Sequence, residues 1–196
     1  MNYYISDLHF GHSKIIGLCD RPYSSVDEMN ERILDVLTQT VSGGDRLYLL
    51  GDVGCADNDP TSFLKRIDCE KILIIGNHDK RWLHHRHFRQ CFEEIYDNKI
   101  VRDGDRKIFL SHYPMAEWDG YYKGIYHFYG HIHNAQNGAA AIMALYENAV
   151  NVSIDQIGRP RTASELIENR KKTFNPPATM DEILRKLRVG KYYEGE

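Results

Sequence analysis

Five short apolar runs, each ending in a polar cluster, constrain the fold of this 196-residue chain more than any other feature. They are YYIS (3–6), RLYLL (46–50), KILII (71–75), KIFL (107–110) and IYHFY (125–129). Runs of four or five residues rich in Ile, Leu, Tyr and Phe predict buried strands, and helical patterns lie between the early ones. We therefore predict an α/β fold with two mixed β-sheets packed together and helices outside them.

Helix starts and one Pro-rich break organise the remainder of the chain. Capping boxes, in which a hydroxyl and a Glu three residues later satisfy each other's backbone donors, are predicted at Ser25 with Glu28, Thr162 with Glu165 and Thr179 with Glu182. Asp59-Pro60 marks a further helix start. The break FNPPA (174–178) leads us to predict one domain over 1–175 and a C-terminal amphipathic helix over 176–196, packed on the same domain.

Composition narrows the class of protein. Hydrophobic residues make up 42% and charged residues 27%, with a formal net charge of −3, so no general attraction to nucleic acid or anionic membrane is expected. Four scattered cysteines without a CxxC pair predict free thiols in a reducing compartment. The chain start has no signal-peptide pattern, and no apolar run approaches the roughly 18 residues of a membrane span. We predict a cytoplasmic protein.

Polar residues follow each apolar run directly. Ligand sites in α/β sheets lie beyond the carboxyl ends of the strands, where the loops of neighbouring strands converge. The seven residues that such a convergence would bring together as metal ligands are Asp7, His9, Asp52, Asn77, His112, His131 and His133. Gly51, Gly76 and Gly130 precede three of these clusters, where a side chain would obstruct the turn or the site.

The types of ligand indicate the chemistry. Imidazole, carboxylate and amide without thiolate favour two divalent transition-metal ions, with Mn first and Fe, Zn, Co or Ni as alternatives. Seven ligands are too many for one such ion but suit two ions that share a carboxylate. Two divalent ions and two carboxylates leave a net charge of about +2, which a bridging hydroxide and a phosphate group satisfy. This pattern is typical of a phosphoester hydrolase.

The ordered motifs DLH, GD, GNHD, SH and GHIH resemble those of the calcineurin-like metallophosphoesterase superfamily over about residues 1–157. DLHFGH with a following RP, and NVSID near the end, are similar to a small bacterial or phage subgroup of predicted phosphoesterases. The resemblance implies a four-layer α/β/β/α sandwich. The GD motif here lacks the Asp-Arg-Gly that follows it in serine/threonine protein phosphatases, which argues against that activity.

The resemblance also implies individual roles. One metal would be held by Asp7, His9, Asp52 and His133, and Asp52 would bridge to a second metal held also by Asn77, His112 and His131. His78 would contact the phosphate and protonate the leaving oxygen as general acid. Asp79 would be its orienting partner.

Other residues leave alternatives open. His12 and Arg21 either contact substrate or, for Arg21, form a surface salt bridge. Trp118, in the aromatic segment 113–124, either stacks on substrate or packs within the loop. The tract WLHHRH (82–87) is interpreted as a solvated helix face, and His127 as a core residue.

The predicted function is hydrolysis of a small phosphodiester or nucleotide by a hydroxide activated by two metals. A phosphomonoesterase and a non-catalytic metal-binding scaffold are the alternatives. Duplex nucleic acid is disfavoured as a substrate because the chain has no basic stripe and no large insertion. The sequence gives no oligomeric state.

Overall fold

A computed structural model of the protein describes residues 1–55 and 58–176. The predicted C-terminal helix, with its capping box at Thr179 and Glu182, lies outside the described residues apart from Pro176. Within the described part, no helix is long and apolar enough to cross a membrane.

The described residues form two four-stranded sheets. In chain order the strands are β1 (Asn2–Ile5), β2 (Arg46–Leu49), β3 (Glu70–Ile74), β4 (Glu94–Tyr96), β5 (Asn98–Asp103), β6 (Arg106–Ser111), β7 (Tyr126–Tyr129) and β8 (Ala149–Asn151). The helices are α1 (Ser13–Leu18), α2 (Val26–Thr40), α3 (Thr61–Leu64), α4 (Arg86–Arg89), α5 (Gly138–Met143), α6 (Ile154–Ile157) and α7 (Ala163–Thr173), with 3-10 turns at Asp79–His84 and Tyr121–Lys123. All five apolar runs of the sequence supply strands.

The two sheets differ in strand direction. The first sheet has the order β1-β2-β3-β4 and is parallel throughout. In the second sheet, β5 pairs antiparallel with β6, whereas β6, β7 and β8 are parallel. Only the second sheet is therefore mixed, although both were predicted to be. The difference follows from the helical connections between β1 and β4, which return each strand in the same direction.

Three apolar clusters separate four layers. Alternate residues of β1 point to opposite faces: Tyr3 and Ile5 pack with α2, while Tyr4 packs between the two sheets. The middle cluster joins residues of both sheets, such as Ile72 and Phe128. A third cluster covers the outer face of the second sheet beneath α5. The expected four-layer sandwich is confirmed, because each sheet buries both of its faces.

Caps fix the helix starts that the sequence predicted. Thr162 and Glu165 form the reciprocal capping box at the start of α7. At α2, Ser25 accepts the backbone N–H of Glu28, but the Glu28 carboxylate binds Ser24 instead of the cap residue. This start is therefore capped on one side only. The four cysteines are free thiols, as predicted.

Candidate metal centre

The carboxyl ends of β1, β2, β3, β6 and β7 meet at one edge of the sandwich and bring the predicted ligands together. The described residues contain four groups of potential ligand atoms, each with its atoms within 4.8 Å of one another; one joins His133 to Cys19 and Asp155, and the other three consist of residues predicted for the site. These three are Asp7 with His9 and His133, His9 with Asp52 and His78, and Asp52 with His112 and His131. Asp52 Oδ2 lies 3.7 Å from His9 Nε2 and 3.4 Å from His112 Nε2, so Asp52 stands between the two halves of the cluster.

The first half is built around Asp7. Its carboxylate is fully buried and accepts the Ser6 hydroxyl at 2.6 Å and the backbone N–H of His131 at 3.1 Å. The Nε2 atom of His133 lies 3.9 Å from Asp7 Oδ1. The ring of His9 lies 5.0 Å from that of His133, between centroids.

The second half surrounds Asp52 and His112. His112 donates from Nδ1 to the Leu50 carbonyl at 2.8 Å, which leaves Nε2 facing Asn77 Oδ1 at 3.0 Å and Asp52 Oδ2 at 3.4 Å. Burial opposes charge on this ring, but the Asp52 carboxylate outweighs burial and raises the pKa of His112 to about 9. At this pKa the ring carries a proton on Nε2 that faces both oxygen acceptors, and a metal cation bound there would take the place of that proton.

His9 gives a direct test of whether a metal fits. It is 2% exposed, and its Nε2 is one of two buried side-chain nitrogen or oxygen atoms without a hydrogen-bond partner among the described residues. Nε2 lies 3.7 Å from Asp52 Oδ2. Burial lowers the pKa of His9 well below its usual value, so the ring is a neutral donor of electron pairs. Neutral imidazole beside carboxylate is a donor set that suits divalent transition metals.

The backbone at these positions is strained. Six non-glycine residues have positive φ within the described chain, and five of them are Asp7, His9, Asp52, His131 and His133. Such angles are unfavourable for residues with a side chain and concentrate at functional sites. A Cβ atom on Gly76 would collide with the Asp52 carboxylate, and one on Gly130 with Ser6 and Asp7. The sequence-based interpretation of these two glycines is therefore confirmed.

His78 and His12 face the same groove. This groove has a volume of about 1040 Å³ and is lined by both residues together with His9, Asp52, Asn77 and His133. The Nε2 atom of His78 lies 3.9 Å from Asp52 Oδ2, and its backbone N–H donates to Asp52 Oδ1 at 2.9 Å. His12 Nδ1 lies 3.4 Å from His9 Nδ1, and the His12 ring lies 5.8 Å from that of His78.

Asp79 has a different role from the one predicted. Its buried carboxylate accepts the backbone N–H groups of Asp52, Val53 and Gly76 at 2.8 to 3.0 Å, and no hydrogen bond to His78 is recorded. Burial and the nearby Asp52 charge raise the pKa of Asp79 to about 6. Asp79 therefore ties together the β2 and β3 loops that carry Asp52 and Asn77, and does not orient His78.

Arg21 does not reach the groove. Its guanidinium is 7% exposed, and its N–H groups go to both carboxylate oxygens of Asp155, the carbonyls of Asp7 and Leu8, and Met29 Sδ. With all five donors used, no N–H remains for a phosphate. Of the two roles left open for Arg21, the structure supports the salt bridge, which is buried and not at the surface. Arg21 also holds the backbone of the first ligand loop.

Trp118 also lies away from the centre. It is 5% exposed within the third apolar cluster, and its indole N–H donates to the Ile125 carbonyl at 2.9 Å. Packing within the loop, which the sequence left open, is thus the role that the structure supports. His127 is buried beside it, as predicted, and His84, His85 and His87 are exposed.

Asp155 is the functional residue that the sequence analysis missed. Its carboxylate accepts a hydrogen bond from His133 Nδ1 at 2.7 Å and two from the Arg21 guanidinium. Burial opposes the charged form, but these partners outweigh it and hold the pKa of the Asp155 carboxyl well below the usual range. The same contact with Asp155 outweighs burial and raises the pKa of His133 to about 10. Asp155 follows β8 in the run AVNVSID, which ends a strand in a polar cluster just as the five recognised runs do. The strand-end rule applied to β8 would have found it.

Comparisons with known proteins establish similarity in sequence and shape. No family model matches the sequence. An uncharacterized protein of Methanocaldococcus jannaschii is 29% identical over 168 residues, which cover 84% of this chain and 88% of that protein. The crystal structure of a protein of unknown function from Aquifex aeolicus is 28% identical, with a TM-score of 0.67, over 84% of this chain and 96% of the other. The sandwich is therefore a fold that is known from experiment.

More distant structures include a phosphoesterase from E. coli, 18% identical with a TM-score of 0.41 over 78% of this chain and 77% of that one. At this distance the likeness carries no argument about the reaction.

Proposed function

We propose that this protein is a metal-dependent phosphoesterase that hydrolyses small phosphodiesters or nucleotides at a centre of two divalent transition-metal ions, with Mn²⁺ the first choice. The observation that carries the proposal is the orphaned Nε2 of buried His9, which lies beside Asp52 within a cluster of histidines, carboxylates and an amide. A buried nitrogen without a partner costs free energy unless a ligand engages it.

In this proposal the ligands divide as the family resemblance implies. Asp7, His9 and His133 hold one ion, Asn77, His112 and His131 hold the other, and Asp52 bridges them. The position of Asp52 Oδ2, 3.7 Å from His9 Nε2 and 3.4 Å from His112 Nε2, supports the bridge. When bound, such a pair of ions supplies a hydroxide at neutral pH and neutralises charge on the phosphoryl oxygens.

The remaining chemistry belongs to residues of the groove. His78 protonates the leaving oxygen, and His12 donates a hydrogen bond to the phosphate. Support comes from the position of both rings beside His9, with centroid distances of 5.1 Å for His78 and 5.2 Å for His12, in the lining of the groove. A groove of about 1040 Å³ is large enough for a nucleotide-sized molecule.

Asp155 is assigned to the same machinery as a positioning residue. Its hydrogen bond fixes the proton of His133 on Nδ1, which leaves the Nε2 lone pair directed towards Asp7 and the first metal. Carboxylates in this relation to a ligating histidine orient the ring and raise its basicity. Arg21 in turn fixes Asp155 and the Asp7 loop.

The test is turnover of an aryl phosphodiester by the full chain loaded with Mn²⁺, together with His78→Ala. We expect the variant to retain metal and to lose about 10²- to 10⁴-fold in kcat on substrates with poor leaving groups, but much less with nitrophenolate, which needs no proton. Equal losses on both substrates would contradict the general-acid role. Bound metal without turnover of any phosphoester would favour the non-catalytic scaffold.

A further inference from the structure

A second cavity lies on the far side of the loop that carries His131 and His133. It has a volume of about 420 Å³, is open to solvent on one side, and is lined by residues of β7, β8, α5, α6 and α7. Ile132 and His133 line both this cavity and the groove of the metal centre. The cavity is therefore separated from the centre by a single loop but is a distinct space.

The described side chains that line this cavity include cationic groups but no carboxylate. Among the described residues that line it there are two arginines, Arg161 and Arg170, and no aspartate or glutamate. Other polar groups at its wall are amides and hydroxyls, including Asn169 of α7 and Tyr129 of β7, while alanines of α5 supply an apolar side. Arg161 is paired with Glu165 at 3.8 Å, so Arg170 is the arginine of this wall that has no ion pair among the described residues. A guanidinium of this kind beside hydrogen-bond donors is complementary to an anion.

Arg170 is the exceptional member of this wall. Its Nε is the second of the two orphaned buried side-chain atoms among the described residues, the first being His9 Nε2 at the metal centre. Its Nη2 donates to the carbonyl of Tyr146 at 2.7 Å and that of Met143 at 3.3 Å, and its guanidinium carbon lies 5.0 Å from the Phe174 ring centroid. Carbonyls and a ring face hold the group in place. The charge of Glu147 acts on it, but no carboxylate lies within ion-pair distance among the described residues.

Arg21 shows what a fully satisfied buried arginine looks like in the same molecule. It has a carboxylate on its fork and a partner for every N–H. Arg170 has neither, although it is half-buried. A desolvated guanidinium without a counter-charge costs free energy, and an oxyanion in the adjoining cavity would supply both the missing acceptor and the missing charge.

We propose that this cavity is a binding site for a small oxyanion, a phosphate or carboxylate group, anchored by Arg170. Asn169 and Tyr129 contribute neutral hydrogen bonds, and α5 packs against the ligand's apolar part. The site does not depend on the proposed reaction, because none of its anchoring side chains belongs to the proposed catalytic or metal-binding residues.

The experiment titrates inorganic phosphate into the metal-free full chain at pH 8, by calorimetry and by the shift in unfolding temperature. Metal removal keeps phosphate from binding at the dinuclear centre. We expect saturable one-to-one binding, weakened at least about tenfold in Arg170→Gln because a charge-assisted contact is lost. Lys172→Gln makes the same charge change at an exposed position of α7 and should bind as the parent does.

A cavity-filling variant keeps the proposal testable if Arg170→Gln folds poorly. Ala144→Leu leaves Arg170 in place but occupies part of the 420 Å³, so it should abolish phosphate binding while circular dichroism stays unchanged. A titration with acetate separates carboxylate from phosphate as the preferred group. Absence of saturable binding of either anion to the parent protein, or unchanged binding in both Arg170→Gln and Ala144→Leu, would overturn the proposal.

Discussion

Two buried histidines, His9 at the carboxyl edge of the first sheet and His127 inside the second, occupy opposite chemical situations at nearly equal burial. His127 donates from Nδ1 to the Phe109 carbonyl at 3.3 Å and accepts the Met115 N–H on Nε2 at 3.2 Å. His9 leaves Nε2 without a partner. Burial alone therefore does not separate a ligand from a structural residue, whereas the balance of hydrogen bonds does.

The backbone draws the same distinction. His9 has a φ of 54°, and four other proposed ligands also have positive φ. His127, in contrast, lies within the regular pairing of β7 with β8. Strain is tolerated where function requires a particular side-chain direction. The edge of the sandwich is thus specialised for a ligand, and the interior of the second sheet for stability.

Asp52→Asn should produce the largest effect on this contrast. The substitution keeps the shape of the side chain but removes half of the carboxylate charge proposed for the centre, so metal affinity should fall by more than about a hundredfold. Metal content per chain, measured by elemental analysis after dialysis, reports the loss. Asp20→Asn is the matched control, since Asp20 also has positive φ but is exposed and outside the cluster.

Replacing each of the two histidines by asparagine tests the comparison between them directly. His9→Asn should weaken metal binding by more than about a hundredfold, with only a small change in the unfolding free energy of the metal-free protein. His127→Asn should leave metal affinity within about threefold and lower that free energy by about 2 to 4 kcal/mol, because two buried backbone groups lose a partner. Metal titration measures the affinity of both variants, and urea denaturation measures their unfolding free energies. If the two variants changed both quantities to a similar extent, the distinction between a metal ligand and a structural histidine would be lost.

Asp155→Asn should have an intermediate effect. It removes the charge that fixes the His133 tautomer, so metal affinity should fall by about 10- to 100-fold while metal still binds at saturation. Metal affinity is measured by titrating metal into the metal-free protein. The unfolding temperature of the metal-free protein separates a specific loss of affinity from a general loss of structure. Unchanged affinity with a lowered unfolding temperature would make Asp155 purely structural.

His127 should also make the stability of the folded protein depend on pH. Burial lowers the pKa of His127 to about 4, against 6.5 for an ordinary histidine. Above pH 6.5 the His127 ring is mostly neutral in both the folded and the unfolded protein. As the pH falls from 6.5 towards 4, the ring binds a proton in the unfolded chain but stays mostly neutral in the folded one. The parent should therefore lose about 3 kcal/mol more stability than His127→Gln between pH 7 and pH 4. Parallel pH profiles from urea denaturation would contradict this.

Much of the architecture was readable in the sequence because short apolar runs and their polar ends obey local rules. The runs became strands, and the loops that follow them converge because parallel strands finish at one edge. Roles were predicted wrongly or left open where they depend on a partner far along the chain. Asp79 binds backbone groups 26 and 27 residues away, and Arg21 binds Asp155 across 134 residues.

The sequence by itself determined the α/β class, the strand-end clusters and the set of residues proposed as metal ligands, since composition and spacing act locally. Tertiary structure alone decided which buried groups find partners. In the part of the chain that the structure describes, His9 Nε2 lacks a hydrogen-bond partner while His127 has one on each ring nitrogen, Arg21 is paired with Asp155, and Arg170 lies beside a cavity without an ion pair. Hydrogen-bond and charge balance are properties of neighbours in space. They cannot be counted until the chain has folded and brought those neighbours together.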